Sequence, residues 1–171
     1  MFKKGMVLGR FQGFHLGHQA VIDKALETCE SVLIFIGSSD KSGSVYNPFP
    51  YELRAAIVND IYNGRVTVAP LPERGLGDIG AWGEYMLESA SKVFGMPDCF
   101  IFGNEEKCHK WFPNNELTFI PIDRSLIKIH GTELRELIYN DDYKSFSQFT
   151  DERIHKYYGI MRQILLTIPC D

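Results

Sequence analysis

Several features that mark large classes of proteins are missing from this chain. No apolar run approaches the roughly 20 residues that a membrane-spanning helix needs, so we expect no contact with a membrane. The four cysteines form neither a Cys-x-x-Cys pair nor a Cys/His set with the spacing of zinc ligands. We therefore expect reduced cysteines, no protein ligands to a metal, and a cytoplasmic location, because nothing at the start of the sequence resembles a signal peptide.

Positive charge is also scarce. The 18 Lys and Arg residues are outnumbered by 22 Asp and Glu residues, which gives a formal net charge of −4. Nucleic-acid-binding domains usually carry a basic surface, so nucleic acid is not a predicted partner, and any recognition of phosphate must be local. Linkers, repeats and low-complexity segments are absent as well, and we expect residues 1–171 to form a single domain.

Short β-rich runs alternate with longer segments of helical periodicity, which is typical of a parallel sheet covered by helices. The predicted strands are 4–8, 31–37, 65–70, 98–103 and 117–122. The predicted helices are 18–29, 51–62, 79–94, 105–112, 132–139 and 151–166, the last with an N-cap at Thr150 or Asp151. The sequence thus predicts an α/β fold: a Rossmann-like parallel sheet of about five strands with flanking helices.

The segment 9–18, GRFQGFHLGH, follows the first predicted strand and leads into a helix. Unpaired backbone N–H groups and the positive end of the helix dipole make such a helix start a binding site for anionic oxygen. Neutral imidazoles at His15 and His18 would add hydrogen-bond donors that strengthen as negative charge builds on a phosphate. The alternative is that the two histidines only hydrogen-bond the helix end. The segment predicts a phosphate site.

Two common phosphate-binding designs do not fit this segment. The glycines at 9, 13 and 17 follow each other at intervals of four, so the Gly-x-Gly-x-x-Gly fingerprint of dinucleotide-binding dehydrogenases is missing. The chain also lacks the Gly-x-x-x-x-Gly-Lys-Ser/Thr loop of P-loop kinases and ATPases. Another phosphate-handling design is therefore required.

Three segments carry a family resemblance. They are GRFQGFHLGH at 9–18, GSSDKS followed by NPF within 37–49, and IHGTELR at 129–135. In this order they resemble the motifs of nicotinamide-nucleotide adenylyltransferases of the archaeal and Nudix-linked bacterial types, within the superfamily of nucleotidyltransferases that carry His-x-Gly-His. The matching segments span most of the chain.

The resemblance implies a reaction and a set of roles. A phosphate oxygen of nicotinamide mononucleotide would attack the α-phosphorus of ATP, and pyrophosphate would leave. The implied catalytic residues are His15, His18 and Arg135. The implied ATP and phosphate ligands are Gly9, Arg10, Phe11, Gly17, Lys41, Gly131 and Thr132. The implied mononucleotide contacts are Ser38, Trp82, Gly103 and Asn104. Mg²⁺, bound mainly through ATP phosphates, is the implied cofactor, and a homo-oligomer is left open.

Arg135 can also be argued without the resemblance. If Thr132 is the N-cap of the predicted helix, Arg135 lies in its first turn, where a cation opposes the helix dipole unless an anion binds. The alternative is a surface pair with Glu136 or Asp142.

Other residues also keep more than one interpretation. Arg54 could bind phosphate or pair on a helix surface with Glu52 or Asp60. Trp82 could stack on a pyridinium ring or pack in the core, and Asn104 could contact a ribose or cap a helix.

Three residues depart from the family pattern. Gly13 stands in place of a proline, His130 in place of a serine, and Tyr46 in place of a basic residue. These departures leave two rival hypotheses: the same chemistry on another phosphorylated acceptor, such as phosphopantetheine or a small phospho-alcohol, or a nucleotide-sensing module without turnover. A sensing module has little need for groups aimed at a transition state, so the retained histidines and Arg135 favour an enzyme.

Overall fold

The computed structural model describes residues 1–77, 79–103, 108–113, 116–123, 125 and 127–169. Strands and helices alternate along most of the chain. In chain order they are β1 (Phe2–Gly9), α1 (Leu16–Thr28), β2 (Cys29–Gly37), α2 (Tyr51–Tyr62), β3 (Thr67–Leu71), α3 (Ile79–Val93), β4 (Cys99–Phe102), α4 (Cys108–Trp111), β5 (Thr118–Pro121), α5 (Gly131–Tyr139), α6 (Tyr143–Gln148), a 3₁₀ helix (Glu152–Tyr157) and α7 (Tyr158–Thr167).

The five strands form one parallel sheet in the order β3-β2-β1-β4-β5. The predicted α/β fold is confirmed, and each predicted strand overlaps an observed one. The strand order reverses between β1 and β4, because β2 and β3 lie to one side of β1 while β4 and β5 lie to the other. In open α/β sheets the crevice at such a reversal, at the carboxyl ends of the strands, is the usual ligand site.

Helices cover both faces of the sheet. The larger hydrophobic cluster contains side chains from α1, α2, α5, α6 and α7, and the smaller one contains side chains from α3 and the end of α4. Successive side chains of β1 point to opposite faces of the sheet, so Val7 belongs to the larger cluster and Met6 to the smaller one. No helix within the described ranges is long and apolar enough to cross a membrane.

A glycine in the central strand makes room for two thiols. A Cβ on Gly5 would lie 2.5 Å from the Sγ of Cys29. With no side chain at this position, the buried sulfurs of Cys29 and Cys99 approach each other to 3.4 Å. Burial raises the pKa of the Cys99 thiol to about 12, so this cysteine stays a neutral thiol, as expected for reduced structural cysteines.

Several helix boundaries differ from the prediction. α1 begins at Leu16, ahead of the predicted residue 18, because His15 acts as its N-cap. α5 begins at Gly131 and its N-cap is His130, so the prediction of Thr132 as the cap is wrong. The predicted helix 151–166 begins instead as a 3₁₀ helix, with Asp151 as its N-cap, and α6 was not predicted. Of the predicted helix 105–112, residues 105–107 lie outside the described residues.

Candidate active site

The turn from β1 into α1 fixes both histidines. His15 is buried, and its Nδ1 accepts a hydrogen bond from the backbone N–H of Gly17 at 3.1 Å. The Nδ1 of His18 accepts from the backbone N–H of His15 at 3.4 Å. Because a ring nitrogen that accepts a hydrogen bond carries no proton, each neutral ring carries its hydrogen on Nε2. Both imidazoles are therefore set to donate through Nε2 to an anionic oxygen.

Both histidines line a cavity of about 370 Å³ at the carboxyl ends of β1 and β4. This is the crevice that the strand order predicts. Its described lining contains five nitrogen-bearing basic or imidazole side chains and no carboxylate; they are Arg10, His15, His18, His130 and Arg135. A cavity with this lining attracts an anion.

The cavity also brings together many of the residues that the sequence singles out. Its lining includes Gly9, Arg10, Phe11, His15, His18, Gly103, Gly131, Thr132 and Arg135. Gly17 is buried and is not part of the lining, but its backbone N–H donates to the His15 ring and so helps to fix the orientation of that ring. Asn104 lies outside the described residues.

Arg135 is held in place by two hydrogen bonds. Its Nη1 donates to the backbone carbonyl of Gln12 at 2.7 Å, and its Nη2 donates to the Thr132 hydroxyl at 3.3 Å. It lies beyond the first turn of α5, because the helix starts one residue earlier than the predicted cap. Burial, and then repulsion by Arg10, lowers the pKa of the Arg135 guanidinium below its usual value. A bound polyanion would relieve that repulsion.

Two of the sequence motifs contact each other through Gln12. This side chain, missed as a site residue by the sequence analysis, is 4% exposed. Its amide donates to the carbonyl of Phe49 at 3.1 Å and accepts from the N–H of Phe49 at 2.9 Å. Nearby, Asn47 accepts a hydrogen bond from Arg10 at 3.5 Å. The Asn-Pro-Phe segment is thus bound to the loop that precedes α1.

Arg54 has a structural position that neither sequence interpretation foresaw. Its side chain is 1% exposed, and its guanidinium donates to the carbonyl oxygens of Arg10, Gly37 and Ser38 at 2.8–3.0 Å. Burial lowers its pKa to about 10. The predicted alternatives, phosphate binding or surface pairing with Glu52 or Asp60, are both replaced by a buried cation that joins the ends of β1 and β2. Its early position in α2 gave no signal for this role.

The loop before α1 has an unusual backbone. Phe11 adopts a left-handed φ of 51° and Gly13 a φ of 102°. A Cβ on Gly9 would lie 2.5 Å from the ring of Phe11, so the ring folds back over β1. Proline is restricted to φ near −65°, so the family's proline would not fit the backbone at Gly13. This departure from the family pattern therefore comes with a different local path of the chain.

Besides Gly17, three predicted phosphate or mononucleotide ligands lie outside the lining of this cavity. Ser38, with a φ of 46°, donates its hydroxyl hydrogen to Glu73 at 2.6 Å. Lys41 is exposed and pairs with Asp40 at 3.3 Å. Trp82 packs against the smaller hydrophobic cluster and beside the Tyr85 ring. All three follow the neighbouring strands β2 and β3.

Another tryptophan, Trp111, lines the cavity in company with Phe100 and Phe102. Sequence periodicity does not single out Trp111, because α4 has only four residues and cannot show which of its faces is buried. Gly83 of α3 allows its approach, since a Cβ there would lie 1.6 Å from the Trp111 carbonyl oxygen. The lining therefore combines aromatic side chains with cationic and imidazole side chains.

A parallel sheet with a cavity at the reversal of its strand order, beside the start of a helix, is the architecture typical of nucleotide-binding α/β proteins. A family model described as cytidylyltransferase-like matches residues 6–145. The chain belongs to the cytidylyltransferase-like family.

Known proteins agree with this assignment. The nicotinamide-nucleotide adenylyltransferase of Saccharolobus solfataricus is 28% identical over 163 residues, which cover 90% of this chain and 88% of that relative. The one from Aeropyrum pernix is 32% identical over 110 residues, 60% of each chain. These matches confirm the resemblance that the three motifs indicated.

A solved structure shows the same fold. It is a bifunctional NMN adenylyltransferase/ADP ribose pyrophosphatase from Francisella tularensis, complexed with AMP and a manganese ion. The TM-score is 0.79 at 23% identity, and the match covers 98% of this chain and 52% of that one. The chain thus spans about half the length of that bifunctional protein.

Proposed function

We propose that this protein transfers the adenylyl group of ATP to nicotinamide mononucleotide, which yields NAD and pyrophosphate. The observation that carries this proposal is the convergence of two Nε2-protonated imidazoles, two guanidinium groups and the start of α5 on one cavity. The names of the archaeal relatives support both the adenylyl donor and the acceptor.

The reaction is a direct displacement. An oxygen of the mononucleotide phosphate forms a bond to the α-phosphorus of ATP, and the bond from that phosphorus to the bridging oxygen breaks. The electron pair leaves with pyrophosphate. His15 and His18 donate Nε2 hydrogens to the oxygens on which charge accumulates, while Arg135 and Thr132 hold the leaving phosphates. Arg10 contacts phosphate of either substrate, and no covalent intermediate on the protein is required.

The mononucleotide occupies the side of the crevice near β2, β3 and β4 in this proposal. Ser38, Trp82, Gly103 and Asn104 are its proposed contacts, with Lys41 assisting at a phosphate. The proximity of Ser38 to the site is supported by Arg54, which binds the carbonyls of both Arg10 and Ser38. ATP is a cytoplasmic substrate, which supports the expected location.

The residues of the cavity are compatible with Mg²⁺ carried by the nucleotide. Within the described ranges, no group of three or more His, Cys, Asp or Glu side chains could hold a metal ion. The lining is cationic, so a divalent cation has to enter with phosphate oxygens as its ligands, together with water. When bound, Mg²⁺ neutralises charge on the triphosphate. Arg135 and the imidazoles would bind phosphate oxygens of the same nucleotide.

The test is pyrophosphate release by purified protein with Mg²⁺ and ATP, in separate reactions with nicotinamide mononucleotide, nicotinic acid mononucleotide, phosphopantetheine and glycerol phosphate. We expect release with nicotinamide mononucleotide and chromatographic detection of NAD. Release with phosphopantetheine or glycerol phosphate alone would retain the chemistry and refute the acceptor. ATP binding without release in any reaction would favour a nucleotide-sensing module.

A further inference from the structure

Gln12 lines the cavity, is only 4% exposed, and joins three segments of the site. Its side-chain amide satisfies both the N–H and the carbonyl of Phe49, a residue that is itself only 1% exposed. A primary amide has an oxygen that accepts hydrogen bonds and an NH₂ group that donates them. It can therefore replace water as the partner of both the N–H and the carbonyl of one buried backbone residue. Removal of this amide would leave two buried backbone groups without partners, which is strongly unfavourable.

The backbone of the same residue contacts α5. The Gln12 carbonyl accepts the 2.7 Å hydrogen bond from Arg135, and a Cβ on Gly131 would lie 3.1 Å from that carbonyl oxygen. The carbonyl of Gln12 therefore accepts the shorter of the two hydrogen bonds that hold the Arg135 guanidinium. On the other side, the segment that Gln12 anchors contains Asn47, the partner of Arg10.

We propose that Gln12 is a positioning residue that orients the guanidinium groups of Arg135 and Arg10 before nucleotide binds. It touches neither the substrate nor the reacting atoms in this assignment; it acts through its two hydrogen bonds to Phe49 and its carbonyl. Donors that are fixed in advance stabilise developing charge without reorganisation, and a displacement of about 1 Å can reduce the rate by about 100-fold. The inference rests on the proposed adenylyl transfer.

The first test compares variants at two glutamines. Gln12→Met keeps the length of the side chain and removes both hydrogen bonds to Phe49, whereas Gln12→Glu keeps the acceptor for the Phe49 N–H. Gln163→Met makes the same chemical change on the exposed surface of α7. We expect kcat to fall about 100-fold in Gln12→Met and about tenfold in Gln12→Glu, with a smaller rise in the KM for ATP. Gln163→Met is expected to match the wild type.

A double-mutant cycle separates positioning from general destabilisation. If Gln12 acts through Arg135, Gln12→Met lowers kcat/KM far less in an Arg135→Ala background than in the wild type. An equal loss in both backgrounds, or a kcat of Gln12→Met within twofold of the wild type, would overturn the inference. If Gln12→Met does not fold, Gln12→Glu serves in the same cycle.

The two proposals fail in different ways. If wild type and Gln163→Met both release no pyrophosphate, the proposed function is wrong. The affinity of each Gln12 variant for a non-hydrolysable ATP analogue then tests the positioning role, and an affinity equal to that of the wild type would refute it.

Discussion

The rings of His15 and His18 stack on each other, with centroids 3.8 Å apart and 27° between their planes. The ring of His18 also contacts the aromatic rings of Phe11 and Phe14 at centroid distances of 5.1 and 5.6 Å. These contacts, together with the two hydrogen bonds to Nδ1, fix the direction of each ring. In the proposed reaction, two donors whose directions are fixed in this way need little rearrangement to bind a phosphate.

His18→Ala is expected to lower turnover at least 100-fold, about 2.7 kcal/mol, because it removes one donor from the developing negative charge. The variant also loses the hydrogen bond from the His15 N–H to the His18 Nδ1. Because this bond is long, at 3.4 Å, its loss alone should change the free energy of unfolding little. Pyrophosphate release and urea denaturation of the same preparation measure the two effects. Near-normal turnover would remove His18 from the catalytic assignment.

The two tryptophans of the chain can be told apart by fluorescence. Trp82→Phe leaves Trp111, which lines the cavity, while Trp111→Phe leaves Trp82, which lies on α3 and packs against the smaller hydrophobic cluster. We expect a non-hydrolysable ATP analogue to change the emission of Trp111, and nicotinamide mononucleotide to be needed for a change at Trp82. An emission change at Trp82 with the ATP analogue alone, and none at Trp111, would contradict this arrangement.

Two Gly→Ala substitutions in helices should have opposite effects. Gly83→Ala forces a Cβ onto the Trp111 carbonyl oxygen, so we expect the free energy of unfolding to fall by about 3 kcal/mol, as in overpacked cores. Gly159→Ala meets no atom within 4 Å, and it should raise that free energy by about 0.5 kcal/mol by restricting the unfolded chain. Urea denaturation measures both. Equal effects would show that α3 and α4 do not pack as described.

Asp151 makes stability dependent on pH in the acid range. Its carboxylate accepts hydrogen bonds from the Arg153 guanidinium at 2.6 Å and from Gln19 at 3.1 Å, and these partners hold the pKa of Asp151 well below its ordinary value of 3.8. Because the folded-state pKa is lower than the unfolded one, the stabilisation is complete above about pH 4 and is lost as pH falls further.

Asp151→Asn should therefore lower the free energy of unfolding by about 2 kcal/mol at pH 7. Below pH 4 the difference between the variant and the wild type should shrink, because the wild type loses the stabilisation from its carboxylate. Urea denaturation at pH 7, 4 and 2.5 checks this. Glu30→Gln, at an exposed carboxylate, is the control and should have little effect at any of these pH values. A difference between Asp151→Asn and wild type that does not depend on pH would contradict the linkage.

Sequence periodicity predicted the sheet and most helices, because apolar spacing reports directly which face of an element is buried. It did not predict contacts between elements. The sequence left phosphate binding and surface pairing open for Arg54, yet its guanidinium donates to backbone carbonyls at the ends of β1 and β2. The family resemblance pointed to Trp82, whereas nothing in the sequence singled out Trp111, because periodicity does not show which side chains meet at a cavity. Gln12 belongs to the motif, but its bond to Phe49 joins residues 37 positions apart.

The glycine in the middle of β1 gives the chain an internal chemical reporter. The thiols that meet beside Gly5 are both buried, so we expect an alkylating reagent to reach Cys29 and Cys99 only when the packing around the sheet opens. Their modification rate follows the opening of the central sheet rather than the motion of surface loops. The wild-type chain can thus report its own global unfolding under native conditions, without an introduced label.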